Sequence, residues 1–354
     1  MRHLTLLLAL ALSLPLAAQR RRATTPPTPF PGCTIVNGTP GVTFTRDEGG
    51  TLAVVAQPLS GNARTYGLAV LDTPGGMLSW HKSTLSISND YGCSWQAVGD
   101  WETPFPPTIT AARGGRAFAW SDNAQWMLRY DAHGPQVLKA PAAIVGVGTN
   151  PADGNHVRIG DPDGQLWESV NGGDSWSQIS ALPRQANTLV YRFSFDPANI
   201  NHIIAGRLAG GAYVTFDGGR NWVRTSFGNN YNVMNFAISP ADPNVIWAVA
   251  VETQSGVHAM HRSTDGGRTF TQVVAESKDV EMQNGPVMAA HPTDPDILYY
   301  SHGVSDPEPI TDLYRVEAGG NVTHTRNFLP GFNAIVFSPV DPTLMYLGLQ
   351  AGRG

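Results

Sequence analysis

Ser88-Asn89-Asp90-Tyr91-Gly92-Cys93-Ser94-Trp95 returns as Thr215-Phe216-Asp217-Gly218-Gly219-Arg220-Asn221-Trp222 and again as Ser263-Thr264-Asp265-Gly266-Gly267-Arg268-Thr269-Phe270. In a further copy, Ser169-Val170-Asn171-Gly172-Gly173-Asp174-Ser175-Trp176, asparagine holds the acidic slot. Each copy spells a tight β-hairpin. The hydroxyl and the carboxylate bond turn N–H groups, and glycine reaches positive φ at little steric cost. The closing aromatic carries a large apolar area under the hairpin. Asp90, Asn171, Asp217 and Asp265 are therefore read as structural, because a turn recurs in every unit while a catalytic group has no reason to. Trp95, Trp176, Trp222 and Phe270 are read the same way, as core pegs rather than a ligand platform.

A second repeat runs in step with the first. It stands as Phe193-Ser194-Phe195-Asp196-Pro197, Ser239-Pro240-Ala241-Asp242-Pro243, His291-Pro292-Thr293-Asp294-Pro295 and Ser338-Pro339-Val340-Asp341-Pro342, with Asn150-Pro151-Ala152-Asp153-Gly154 a looser relative. Apolar runs flank each copy, so each joins two strands. One unit reads strand, Pro-Asp turn, strand, connection, strand, acidic turn, strand. Four antiparallel strands at this period make a propeller blade.

Weaker hairpins at Asp47, Asp131 and Glu317 fill the gaps between the clear ones. The acidic slots at 47, 90, 131, 171, 217, 265 and 317 then recur at roughly 40 to 52 residues, one blade each. The expected fold is all-β, a seven-bladed β-propeller of four-stranded antiparallel blades. The strand at 344–349 leaves the last blade half built, and the segment 42–56 offers the missing strands. Joining them closes the ring and removes exposed sheet edges. The rival reading is a chain in which Ala351-Gly352-Arg353-Gly354 leads into another hairpin. Long helical periodicity is missing after residue 20, and glycine and proline punctuate the chain as turns.

The hairpin motif resembles the Asp-box (BNR) repeat of the sialidase and xyloglucanase superfamily. Size and repeat grammar resemble the single propellers of the photosystem II assembly-factor group over most of residues 42–350. Sialidases share the Asp-box but are six-bladed and carry a Phe/Tyr-Arg-Ile-Pro motif; Val157-Arg158-Ile159-Gly160 lacks its proline. Arg64, Arg184 and Arg207 would have to supply the carboxylate-binding arginines of such an enzyme, and Tyr231 has no glutamate near it in sequence. Xyloglucanases face two propellers across a cleft, one catalytic Asp on each, whereas this chain supplies one propeller. The assembly-factor group implies a non-catalytic scaffold, although its arginine-rich partner face contrasts with an acidic one here.

Residues 1–18 read as a secretory signal: Arg2 and His3, then an apolar stretch from Leu4 to Leu16, then Ala17-Ala18. The apolar stretch is short for a membrane span. Residues 19–32 read as a Pro/Thr-rich disordered lead-in and 33–354 as the propeller. The expected protein is secreted or periplasmic. Cys33 and Cys93 are the only cysteines and would meet an oxidising compartment. They are expected to pair, with two separate thiols as the other reading.

Topology places the acidic turns and the Pro-Asp turns on one face. The opposite face, built from the remaining connections, is where function is expected. Candidate acids there are Glu102, Asp161, Glu252 and Asp306, of which two across a pocket would suit glycoside hydrolysis. Candidate ligand-binding residues are Trp101, Arg184, Arg207 and Tyr231. No metal site or cofactor is expected. A net charge of −5 argues against non-specific nucleic-acid or anionic-membrane binding. The leading expectation is a monomeric, non-catalytic propeller binding a protein partner or a glycan through that face. The alternative is a sialidase- or xyloglucanase-like hydrolase.

Overall fold

The recurrent turn is built as its residues dictate. In the computed structural model, which describes residues 31–57, 59, 64–282, 287–301, 311–327 and 331–350, the Ser88 hydroxyl donates to Asp90 Oδ1 at 2.8 Å and accepts from the Gly92 N–H at 2.9 Å. Asp90 Oδ1 also accepts the Ser94 N–H at 2.9 Å, closing the loop. The same three bonds form at Asp217, at Asp265 and, through an amide oxygen, at Asn171. Gly218 and Gly219 take φ of 73° and 92°, left-handed values that favour glycine. In the first copy Tyr91 holds the equivalent position at φ 60°.

Six of these units are four-stranded antiparallel sheets. The first blade comprises Gly67–Val70, Met77–His81, Thr84–Ser88 and Gln96–Asp100. The second runs Thr108–Ala112, Arg116–Trp120, Trp126–Asp131 and Gly134–Lys139. The third runs Gly146–Asn150, Asp153–Gly160, Gln165–Ser169 and Ser177–Ala181, and the fourth Val190–Asp196, Asn199–Arg207, Gly211–Thr215 and Val223–Arg224. Tyr231–Ile238, Ile246–Glu252, His258–Ser263 and Thr271–Ala275 make the fifth. Met288–Ala290, Ile297–Ser301, Thr311–Glu317 and Val322–Asn327 make the sixth.

The seventh blade is composite. Phe332–Phe337 pairs with Met345–Leu349, and the N-terminal strand Val42–Thr45 pairs antiparallel with the latter, Phe44 opposite Tyr346. The expected second N-terminal strand is only partly realised. Ala53 donates to the Phe44 carbonyl, but Val54–Val55 pairs in parallel with Ile35–Val36 rather than extending the blade. The turn leading to it, at Asp47, makes the full set of bonds with Thr45, Gly49 and Thr51. The disulfide Cys33–Cys93 ties this N-terminal segment to the first blade.

The first strand of each blade lies innermost, and each packs against the next around a closed ring. Between blades sits apolar core: Ile204, Val214, Ala248 and Ala250 between the fourth and fifth, Met260, Leu298, Tyr300 and Tyr314 between the fifth and sixth. On the acidic-turn face, polar latches reach from one blade to the next. Arg129 donates to the Gly172 carbonyl, Arg158 to that of Ile200 and His202 to that of Gly266. Arg262 pairs with Asp296, Tyr299 donates to Glu48, and Tyr346 donates to the Tyr91 carbonyl, completing the seam. These bonds hold the inner strands in fixed relation, and so shape the axial channel.

Candidate ligand site at the channel mouth

The channel opens into a cavity at each end. The one on the acidic-turn face is ≈ 460 Å³ and includes Asp72, Arg113, Asn150 and Phe195. The larger, ≈ 710 Å³, lies on the opposite face, where the sequence placed function. Its apolar wall comes from inner strands, among them Leu68, Ile109 and Val336. Four of its polar groups come from a device the sequence did not reveal. In the fourth, fifth and seventh blades the inner strand slips by one residue at the same height, at Val190/Arg192, Val233/Asn235 and Phe332/Ala334. Such bulges re-aim side chains. Tyr191, Arg192, Asn235 and Asn333 all line the cavity.

Asp122 enters from the second blade. Ser121 donates to the Phe105 carbonyl at 2.8 Å, and Asn123, at φ 55°, donates its N–H to the Ile144 carbonyl at 2.8 Å. These bonds turn the loop inward. Asp122 Oδ1 lies 3.8 Å from Arg192 Nη1, too far for a hydrogen bond. Asp122 Oδ1 and Arg192 Nε are buried atoms without a hydrogen-bond partner. Burial pushes the Asp122 carboxyl above the usual carboxylate range, although Arg192 and the Asn123 N–H pull the other way. The Arg192 guanidinium rests over the Trp120 ring, 5.8 Å from its centroid. Across the mouth Arg64 donates to the Tyr66 hydroxyl at 3.4 Å, and Asn333 donates to Gln350 at 3.4 Å. Phe105 and Leu189, 55% and 53% exposed, stand on this face.

The residues singled out from sequence do not converge here; of the arginines weighed, only Arg64 lines the cavity. Trp101 packs on Trp80, centroids 5.7 Å apart, because it follows the outermost strand of its blade. Glu102, beside it, is exposed. Asp161 is a turn anchor: its two oxygens accept the Gln165 N–H at 2.8 Å and the Trp167 indole N–H at 2.9 Å. Burial, the largest influence, raises its carboxyl. Arg207 is 3% exposed, donates to the Pro183 carbonyl at 2.8 Å and lies over Tyr213. Arg184 is exposed, Tyr231 packs against Phe227 and His261, and Glu252 accepts from Ser255. Asp306 lies outside the described residues. Among the described residues, no group of three or more His, Cys, Asp or Glu side chains forms a metal-binding cluster. No helix among them is long and apolar enough to cross a membrane.

The described strands define a seven-bladed β-propeller with a cavity at its axial mouth. The family model described as "Sortilin, neurotensin receptor 3" matches residues 142–321. The chain belongs to the family of the dispase autolysis-inducing protein of Streptomyces mobaraensis, with which it is 41% identical over 334 residues, covering 90% of this chain and 89% of the relative. Among solved structures it resembles the GH74 xyloglucanase of Xanthomonas campestris at TM-score 0.61 and 15% identity; the match covers 83% of this chain but only 52% of that one. YCF48 of Cyanidioschyzon merolae is similar at TM-score 0.57 and 14% identity, covering 82% of this chain and 97% of that one. The structure titled "YCF48 bound to D1 peptide" matches at TM-score 0.56 and 14% identity, covering 83% and 95%. Structural neighbours at such identity speak for the fold alone.

Proposed function

We propose that this chain is an exported, non-catalytic propeller that binds a partner protease and promotes its self-digestion, using the loop face opposite the acidic turns. One observation carries the reading: 41% identity, sustained over 90% of the chain, to a protein named for inducing dispase autolysis. The exposed apolar side chains Phe105 and Leu189 on that face supply contacts of the kind that anchor protein interfaces. A single propeller with a peptide bound, as the YCF48 structure's title states, is a precedent for such a use of the fold. Export is supported by the apolar stretch from Leu4 to Leu16 and by the Cys33–Cys93 bridge, which suits an oxidising compartment.

Glycoside hydrolysis is the reading set aside. It needs two carboxyl groups facing each other across the substrate. Among its described residues the larger cavity holds one acid, Asp122, facing an arginine.

The test is complex formation. Purified chain mixed with dispase inactivated at its active site is expected to co-elute in size-exclusion chromatography, and Phe105→Asp with Leu189→Asp to abolish the complex. Separate elution, or release of sugar from xyloglucan by the chain alone, contradicts the reading.

A further inference from the structure

We infer that Asn37 is a self-modifying site: its side-chain amide is displaced by the Gly38 backbone nitrogen, leaving aspartate and isoaspartate where the N-terminal segment meets the first blade. The inference is independent of the protease partner. Asparagine followed by glycine is open to this step because glycine has no Cβ to shield the attacking nitrogen. The sequence holds Asn37-Gly38, Asn171-Gly172 and Asn284-Gly285, the last outside the described residues. The fold treats the first two in opposite ways. Asn171 Oδ1 accepts the Ser169 hydroxyl at 2.8 Å and the Ser175 N–H at 3.0 Å, and Nδ2 donates to the Ser175 hydroxyl at 2.9 Å. The Gly172 N–H is committed as well, to the Asn155 carbonyl at 2.8 Å. Both reacting groups are held there. Asn37 is exposed, and among the described residues neither its side-chain amide nor the Gly38 N–H has a hydrogen-bond partner.

The reaction needs no co-reactant but water. The Gly38 nitrogen gives up its proton and bonds to the Asn37 side-chain carbonyl carbon. The bond from that carbon to Nδ2 breaks, and the amide nitrogen leaves as ammonia with that proton. Water then opens the succinimide ring that remains. Opening at the side-chain carbon gives aspartate. Opening at the main-chain carbon gives isoaspartate, in which the main chain runs through the former side chain. The position makes the second product consequential. The Asn37 N–H donates to the Cys93 carbonyl at 2.8 Å, and the Asn37 carbonyl accepts the Trp95 N–H at 3.1 Å. These bonds clasp the N-terminal segment to the acidic turn of the first blade. Isoaspartate turns that carbonyl into a free carboxylate and reroutes the chain beyond it, so the clasp loosens. The intact clasp in turn restrains the Asn37 backbone, which slows the step relative to an unfolded chain.

The experiment holds the full chain, disulfide intact, in mildly alkaline buffer and samples it over days. Each sample is digested and mapped by mass spectrometry, with electron-transfer fragmentation to tell isoaspartate from aspartate. The same chain, reduced and denatured, is followed in parallel. In the folded chain Asn37 is expected to convert about 10- to 100-fold faster than Asn171, whose side-chain hydrogen bonds must first open. Both products are expected at Asn37. In the denatured chain the two asparagines are expected to convert at matching rates, which assigns the difference to the fold. Equal rates in the folded chain, or faster loss at Asn171, overturn the inference. So does a denatured chain that keeps the folded ratio, because flanking sequence would then account for it.

Discussion

The hydroxyl of Tyr346 donates to the backbone carbonyl of Tyr91 at 2.9 Å. The first residue belongs to the composite seventh blade and the second to the turn of the first, so this bond crosses the seam where the ring closes. Tyr346 is 1% exposed, and burial raises its phenol well above its ordinary value, leaving it a donor across the accessible pH range. Tyr346→Phe keeps the packing and removes the bond across the seam. The expected loss is about 1 kcal/mol in chemical denaturation. An unchanged midpoint and slope would show that the seam is held by packing alone.

The acidic turn permits a graded test at Asp90. Asn171 already makes the turn in the third blade, its oxygen accepting from Ser169 and Ser175 and its Nδ2 donating to the Ser175 hydroxyl. Asp90→Asn has that geometry available and should cost less than about 1 kcal/mol, whereas Asp90→Ala strips every side-chain bond and should cost about 2 kcal/mol. Denaturation of both variants checks this. Equal losses would contradict the assignment of the turn's stability to the side-chain oxygen.

Two buried histidines contribute to the acid side of the stability profile. His81 shares a 2.7 Å hydrogen bond with Thr65 and is 5% exposed, and burial together with the positive Lys82 lowers its pKa to about 4. His261, against Phe227 at 5.0 Å, is lowered to about 4 by burial, opposed by the Ala259 carbonyl. A histidine depressed in the fold binds its proton first in the unfolded chain. Stability is therefore complete above the ordinary value of 6.5, falls as pH drops from there to about 4, and levels off below. Each contributes at most about 3 kcal/mol of that loss. Denaturation from pH 7 to pH 4 should show a slope that His261→Leu reduces. The turn carboxylates act in a lower window. Burial raises the Asp90 carboxyl, but the hydrogen bonds of Ser94 and Ser88 outweigh it, so its contribution is lost only as pH falls through its depressed pKa.

The Cys33–Cys93 bridge closes a loop with a sequence separation of 60. On chain entropy the Cys33→Ser/Cys93→Ser protein should be about 4 kcal/mol less stable. Because the bridge fastens only the N-terminal segment to the first blade, proteolysis of the double variant should begin around residues 33–57. Cleavage elsewhere first would place the weak point in another blade.

The order of strands and the closing of the ring were legible because they repeat. Asp90, Asp217 and Asp265 announce a hairpin by local chemistry that needs no distant partner, and Asp47 shows that even a degenerate copy builds the whole turn. The candidate site was less legible, because it depends on relations between blades. Asp122 and Arg192 come from the second and fourth blades, and nothing local to either marks the other. The bulges that aim Tyr191, Arg192, Asn235 and Asn333 are departures from strand alternation. A usable signal was present nonetheless: Arg192, Asn235 and Asn333 interrupt apolar inner strands that have little other reason to carry them. Arg207 misled in the opposite way. It sits on the expected face, yet its guanidinium is spent on the Pro183 carbonyl and the Tyr213 ring.

The proposed promotion of self-digestion in a partner protease can be followed as it happens. Its most direct test follows intact dispase by gel over time, alone and with increasing amounts of the purified chain. Dispase is expected to disappear faster in proportion to the chain added, and Phe105→Asp with Leu189→Asp to restore its lifetime. Dispase that decays at the same rate with and without the folded chain would contradict it.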